Sequence, residues 1–365
     1  MAVDVSSLVR PDVATMEPYA SILPLEVLSA QLGRPADEIV KLDANENPYG
    51  PSPRVRQALA TMEYPHIYPD PESRYLRAAL SAYTALPAEF LMVGHGADEL
   101  IDLAMRLFIQ PGDVVVNCPP TFGMYRFDAA VNAARVHNVL RRNDFSLDVE
   151  GVARAVAEEP RCKLVFVTAP NNPDGSLLPD EHLDRLLGLP VVVVLDEAYV
   201  EFAGLERSRI HLVPGLTNLI VLRSFSKWAG LAGLRLGYGA FPLQIMQHLW
   251  KIKQPYNVNV AAQLAGLVSL QDRDYLLGNV HHMIEERQRL AAALDGIPYL
   301  RPHPSQANFI LCRVVGRDAR MLKQALAERG ILIRFYDSPG LTEHVRFSVG
   351  RPEDTERLVL ALREV

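Results

Sequence analysis

Cysteine is sparse: three residues in a chain of 365, at positions 118, 162 and 312. An odd number, so widely spaced and without neighbouring histidines, builds neither a disulfide framework nor a zinc site, so each reads as a small buried hydrophobe and no metal is expected. No window offers the ~20 unbroken apolar residues that a membrane span requires, and the beginning of the chain lacks the charged-then-apolar layout of a signal segment. A cytoplasmic protein with no membrane partner is expected. Basic blocks are absent and the net charge is −6, which leaves no handle for nucleic acid. Lysine is scarce too, six of the 37 basic residues, so a lysine in a special context carries more weight here than an arginine.

What is present is the composition of a globular protein, 49% hydrophobic and 22% charged, with length for two domains. Residues 1–45 read as an N-terminal arm, with four prolines before residue 40 and one helix near Leu25 to Leu32. Such an arm has no core of its own and must lie on the small domain or a partner subunit. From about residue 74 to 240, apolar strands alternate with helices: Phe90 to Val93, Val114 to Val116, Val136 to Leu140, Leu164 to Val167, Val191 to Leu195, Leu219 to Leu222 and Leu236 to Ala240. Continuous apolar strands separated by helices predict an α/β fold with a mostly parallel sheet covered on both faces. Residues 46–260 are assigned to this large domain, and 261–365, with a long polar helix and three short strands, to a smaller α+β domain.

The chemistry concentrates in Val221 to Arg235, VLRSFSKWAGLAGLR. A buried strand delivers Ser224, Ser226 and Lys227 into a glycine-rich turn, with Arg235 eight residues after the lysine. A lysine amine condenses with an aldehyde as a Schiff base, while the serines and the arginine suit a phosphate, so the combination fits a phosphorylated aldehyde cofactor. Gly94-His95-Gly96 opens a helix whose free N–H groups make a second candidate for that phosphate. Asn171, Asp196, Tyr199 and Lys227 all fall just after strands, where parallel sheets hold ligands. If the aldehyde is carried on a pyridine ring, a carboxylate is needed to keep the ring nitrogen protonated; Asp196 is the candidate. Asn171 and Tyr199 suit a phenolic ring oxygen, and the Lys227 amine, once freed, can act as general base and acid.

These motifs, with LDANENP at 42–48, GADE at 96–99, PPTFGMY at 119–125, PNNPDG at 170–175 and DEAY at 196–199, resemble the pyridoxal-phosphate-dependent aminotransferases of fold type I, class I/II, and within them the histidinol-phosphate aminotransferases. The resemblance runs from about Tyr19 to the end of the chain. It implies pyridoxal 5'-phosphate as cofactor, with Lys227, Asp196 and Tyr199 catalytic. It further implies that Ala97, Asp98, Ser224, Ser226 and Arg235 hold the cofactor phosphate, that Asn171 and Tyr199 meet the ring oxygen, and that Phe122 stacks on the ring. Tyr68 is implied to reach across a homodimer interface to the partner's cofactor, and Tyr19, Asn47, Arg334 and Arg346 to hold substrate, a small-molecule amino donor or a 2-oxo acid. The implied activity is amino transfer between L-histidinol phosphate and 2-oxoglutarate, giving imidazole-acetol phosphate and glutamate, in histidine biosynthesis. Phe122, Asp174 and Trp228 depart from the more usual Tyr, Thr and Ala. Related threonine-phosphate decarboxylases and aromatic or broad-specificity aminotransferases share the machinery and stay open as alternatives. An ATPase reading of the Val191 to Glu197 strand fails for want of an upstream phosphate-binding G-x-x-x-x-G-K-[ST].

Overall fold

A computed structural model of the chain describes residues 3–19 and 23–365. β-branched runs such as Val114–Asn117 and Val192–Asp196 are buried on both faces, which only a sheet sandwiched between helices provides. Twelve strands follow the chain as β1 (Val40–Leu42), β2 (Leu91–His95), β3 (Val114–Asn117), β4 (Arg135–Asn138), β5 (Cys162–Thr168), β6 (Val192–Asp196), β7 (Leu219–Ser224), β8 (Leu236–Ala240), β9 (Leu300–Pro302), β10 (Phe309–Val314), β11 (Ile331–Phe335) and β12 (His344–Ser348). They form a seven-stranded sheet, ordered β2-β8-β7-β6-β5-β3-β4, and a five-stranded sheet, ordered β1-β11-β12-β10-β9.

The seven expected strands make the large sheet. All its pairings are parallel except those of β8, which runs against both β7 and β2. The register sets the ends of β5, β6 and β7 side by side, with Thr168 opposite Asp196 and Asp196 opposite Leu222. Helix Gly96–Phe108 crosses one face, its buried residues Leu100, Ile101, Leu103, Ala104 and Met105 recurring at helical spacing. Asp98 and Glu99 in its first turn and Arg106 in its last complement the helix dipole.

β1 lies at the end of the expected arm and pairs in parallel with β11 as the edge of the small sheet. Earlier in the arm, Arg10 donates to the Val131 carbonyl at 3.1 Å and Tyr19 meets Phe127 edge-on at 5.9 Å, both in the large unit. The arm therefore touches both units. Helix Val260–Gln271 packs on the large unit so closely that a Cβ on Gly266 would meet the Leu236 side chain at 2.4 Å. Gln263 also donates to the Asp70 carbonyl at 3.1 Å. An apolar helix cannot be assigned to a unit from its own pattern, because both units offer it an apolar face. Among the described residues no helix is long and apolar enough to cross a membrane.

Candidate active site

Beyond the ends of β5, β6 and β7 lies a cavity lined by Ala97, Asp98, Phe122, Thr168, Asn172, Asp196, Tyr199, Ser224, Ser226, Lys227 and Arg235. An adjoining cavity shares Phe122, Asn172, Tyr199 and Lys227 and adds Tyr19, Asn45, Arg334, Tyr336 and Arg346. Residues spread over more than 300 positions thus converge because the strand register brings their elements to one end of the sheet.

Lys227 is partly buried and its Nζ donates to the Ala44 carbonyl at 3.1 Å. Burial, and then the charge of Arg346, push the ammonium down to about 8. Asp196 is buried; its Oδ2 accepts from the Tyr125 hydroxyl at 2.6 Å and its Oδ1 from the Ala198 N–H at 3.0 Å. Burial raises this carboxyl to about 6 against the pull of those two donors. The Tyr199 hydroxyl accepts from Asn45 Nδ2 at 3.1 Å, and burial pushes it up to about 12. A low amine and a carboxyl raised toward neutrality in one cavity are what acid–base chemistry near pH 7 requires.

The expected phosphate-holding groups are together. Helix Gly96–Phe108 begins at the cavity, and its 13 residues give it a full dipole with Ala97 and Asp98 at the open N-terminus. Arg235 Nη2 pairs with Asp98 at 2.6 Å, each side chain over a third exposed. Glycine is required twice here. Gly96 has φ +75 and a Cβ on it would meet Arg235 Nη2 at 2.7 Å, while a Cβ on Gly237 would lie 2.4 Å from the Ala97 nitrogen. These contacts leave a shallow cradle of backbone and hydroxyl donors that suits a phosphate.

Two expected side chains are placed elsewhere. Asn171 is fully buried and does not line the cavity: its Nδ2 donates to the Pro120 carbonyl at 3.1 Å and to Asp174, and its Oδ1 accepts from Thr121 at 3.0 Å. Its neighbour Asn172 faces the cavity, with Oδ1 accepting from Arg346 Nη1 at 2.6 Å and Nδ2 at 3.5 Å from the Tyr199 hydroxyl. Two adjacent asparagines in PNNPDG cannot both face one cavity, and composition does not say which one does. Asp174, the departure from Thr, has its role here, tying Asn171 and the Ser176 N–H in the turn.

Asn47 is likewise occupied by the fold, donating to the Trp228 carbonyl at 3.0 Å and accepting from the Tyr49 N–H at 2.9 Å. Asn45 takes the wall instead. It holds φ 56, and Ser348 and Asn308 of the small unit bond its backbone and side chain. Asparagine tolerates that left-handed backbone, which was the available signal. Tyr125, Thr168 and Tyr336 were not singled out either, since each reads as ordinary core or strand.

Arg346 is 5% exposed, its Nη1 on Asn172, its Nη2 on the Asp43 carbonyl at 2.8 Å, and its Nε buried without a partner among the described residues. Arg334 and Tyr336 flank it. Tyr68 does not line the cavity; it is 78% exposed and stacks on Tyr256 at 4.6 Å.

Behind the site, Arg223 and Glu197 form a buried ion pair at 3.1 Å, and Glu197 also accepts from Ser208 and from the Arg209 N–H, each at 2.6 Å. The pair couples the ends of β6 and β7, one residue from Asp196 and from Ser224. Removing one partner strands the other as a buried charge. Arg223→Ala is expected to lower unfolding stability by on the order of 3 kcal/mol in urea titration; an unchanged midpoint would show that water reaches the pair. Trp228 fills the same region, fully buried and stacked on Tyr83 at 5.6 Å, which accounts for a large residue where Ala is more usual.

Comparison with known proteins agrees with this geometry. The family model for aminotransferase class I and II matches residues 37–362. The chain is 55% identical over 359 residues to a chloroplastic histidinol-phosphate aminotransferase of Nicotiana tabacum, covering 98% of this chain and 86% of that one. It is 53% identical over 373 residues to histidinol-phosphate aminotransferase of Roseiflexus castenholzii, covering both in full. Among solved structures, histidinol-phosphate aminotransferase from Sinorhizobium meliloti in complex with pyridoxal-5'-phosphate superposes with TM-score 0.89 at 30% identity, over 98% of this chain and 97% of that one. With its lysine, carboxylate and phosphate cradle at the ends of a doubly covered sheet, the chain belongs to the class I and II aminotransferases.

Proposed function

We propose that the protein uses pyridoxal 5'-phosphate to transfer an amino group between L-histidinol phosphate and 2-oxoglutarate, giving imidazole-acetol phosphate and glutamate, as its relatives' names suggest. The observation that carries the reading is the joining of two cavities at Lys227: one ends in a phosphate cradle, the other at the guanidinium groups of Arg334 and Arg346. Bound there, the cofactor supplies an aldehyde that condenses with amines and a ring that withdraws electrons from the neighbouring carbon.

The chain's own residues then have distinct tasks. Lys227 would hold the aldehyde, and its amine, once free, can move a proton at the reacting carbon. Asp196 would hold the proton on the ring nitrogen. Tyr199 and Asn172 would supply hydrogen-bond partners for the ring oxygen, and Phe122 would offer a ring face. The N–H groups at Ala97 and Asp98, with Ser224, Ser226 and Arg235, suit the phosphate.

Arg346, with Arg334, Tyr336 and Tyr19, suits the substrate anion. A guanidinium accepts a carboxylate or a phosphate bidentately, which allows one site to serve glutamate and a phosphorylated amine in turn. Arg346→Lys loses the fork, and KM for both donors is expected to rise about 10- to 100-fold in steady-state assays; a rise for one donor alone would assign Arg346 to that donor only. The exposed stack of Tyr68 on Tyr256 supports the view that Tyr68 serves a neighbouring subunit of a homodimer rather than its own cavity.

A panel of amino donors, scored by the spectral change of the bound cofactor in single turnovers, tests the reading. Histidinol phosphate is expected to react fastest, with 2-oxoglutarate reversing the change. Carbon dioxide released from phosphothreonine, or preference for an aromatic amino acid, would overturn it.

A further inference from the structure

We propose that Tyr125 is a positioning residue: its phenol, steadied by Thr168, keeps the Asp196 carboxylate ionised and turned toward the ring that the cavity takes. The inference rests on the cofactor reading above and extends it to a residue outside the cavity wall.

Tyr125 is fully buried in helix Met124–Val131, and its hydroxyl lies 2.6 Å from Asp196 Oδ2 and 2.7 Å from Thr168 Oγ1. A phenol has one proton. Given to the carboxylate, it leaves the phenol oxygen to accept from Thr168, so the chain of bonds runs Thr168 to Tyr125 to Asp196, each donor strengthened by the one before it. The Ala198 N–H holds the other carboxylate oxygen. A donor to a carboxylate favours its ionised form, and an ionised Asp196 leaves the shared proton on the ring nitrogen instead of taking it.

The other titratable groups around Asp196 cannot do this. Asp98 and Glu197 are acidic and push its proton affinity up, and Glu197 is itself paired with Arg223. Lys227, Tyr199 and Arg235 share the cavity without a hydrogen bond to Asp196 among the described residues.

Tyr125 also packs, stacked on Phe166 at 4.9 Å and edge-on to Phe122 at 5.6 Å. Tyr125→Phe keeps both rings in place and removes only the hydroxyl. The test follows the Asp196 carboxyl in cofactor-free protein by infrared or carbon NMR with labelled aspartate, its signal identified by its loss in Asp196→Asn. The parent midpoint is expected near 6, and Tyr125→Phe is expected to raise it by about one to two pH units. In the loaded enzyme kcat should fall about 10- to 100-fold at pH 7 with KM little changed. Should Tyr125→Phe fail to fold, Thr168→Val is expected to move the midpoint in the same direction by less than about one unit. A midpoint that stays at the parent value in a folded variant overturns the proposal. Because the titration needs no cofactor, it decides the role of Tyr125 even if the donor panel overturns the proposed substrate.

Discussion

Lys227→Ala is expected to abolish turnover, a loss of at least about 10⁴-fold, because the variant lacks both the amine that binds the aldehyde and the group that moves the proton. Borohydride should no longer fix cofactor to the protein. Cofactor should still bind without a covalent link, since the groups of its phosphate cradle are other residues, including the N-terminus of helix Gly96–Phe108. The pH dependence in the parent follows from the amine's environment. Only the neutral amine attacks an aldehyde, and burial with the nearby Arg346 brings the ammonium down to about 8. Capture of added cofactor by cofactor-free protein should therefore rise about tenfold per pH unit below 8 and level off above it. Stopped-flow absorbance from pH 6 to 9 measures this. A rate flat from pH 6 upward would place the amine's midpoint below 6, and retained turnover in Lys227→Ala would remove the lysine from the chemistry.

Asp196→Ala is expected to leave the cofactor bound while slowing proton abstraction about 10³-fold. At ~4 Å and an effective dielectric of about 20, a carboxylate and a protonated ring nitrogen attract by about 4 kcal/mol. That is about three pK units on the ring, the margin between a ring that withdraws electrons at neutral pH and one that does not. A solvent-exposed carboxylate would give much less, so the burial of Asp196 at the end of β6 matters as much as its charge. The check is a single-turnover measurement with deuterium at the reacting carbon, in which the variant's isotope effect should grow as proton removal becomes limiting. An unaffected rate would count against the electron-withdrawing role.

Much of the fold was legible because strand and helix periods are local properties. The apolar runs at Val114 to Val116, Val191 to Leu195 and Leu219 to Leu222 announce buried parallel strands wherever they occur, and all seven expected strands are in the large sheet. Direction and partnership are not local. Nothing in Leu236 to Ala240 says that it runs against its neighbours, and three residues at Val40–Leu42 cannot reveal that their partner lies some 290 positions later. For the same reason the pattern of the apolar helix Val260–Gln271 does not say which unit it packs on. Its small residues, Ala262, Ala265 and Gly266, mark a close approach but not the surface approached.

Site residues divide along the same line. Chemistry alone selects Lys227, Asp196 and Arg235, since few residue types can bind an aldehyde, hold a ring proton or meet a phosphate, and each stands after or beside a strand end. Which of Asn171 and Asn172, or of Asn45 and Asn47, faces the cavity is a matter of one backbone rotation. Adjacent and alternate residues in a turn differ in direction, not in kind, and only the packing of Thr121, Pro120 and Asp174 around Asn171, and of Trp228 against Asn47, decides it. The amino-acid order thus determined which reactive groups the chain possesses and that they stand at strand ends. The tertiary structure decided which of them share a cavity and how their proton affinities are set, because burial and hydrogen-bond geometry arise only between segments distant in the chain.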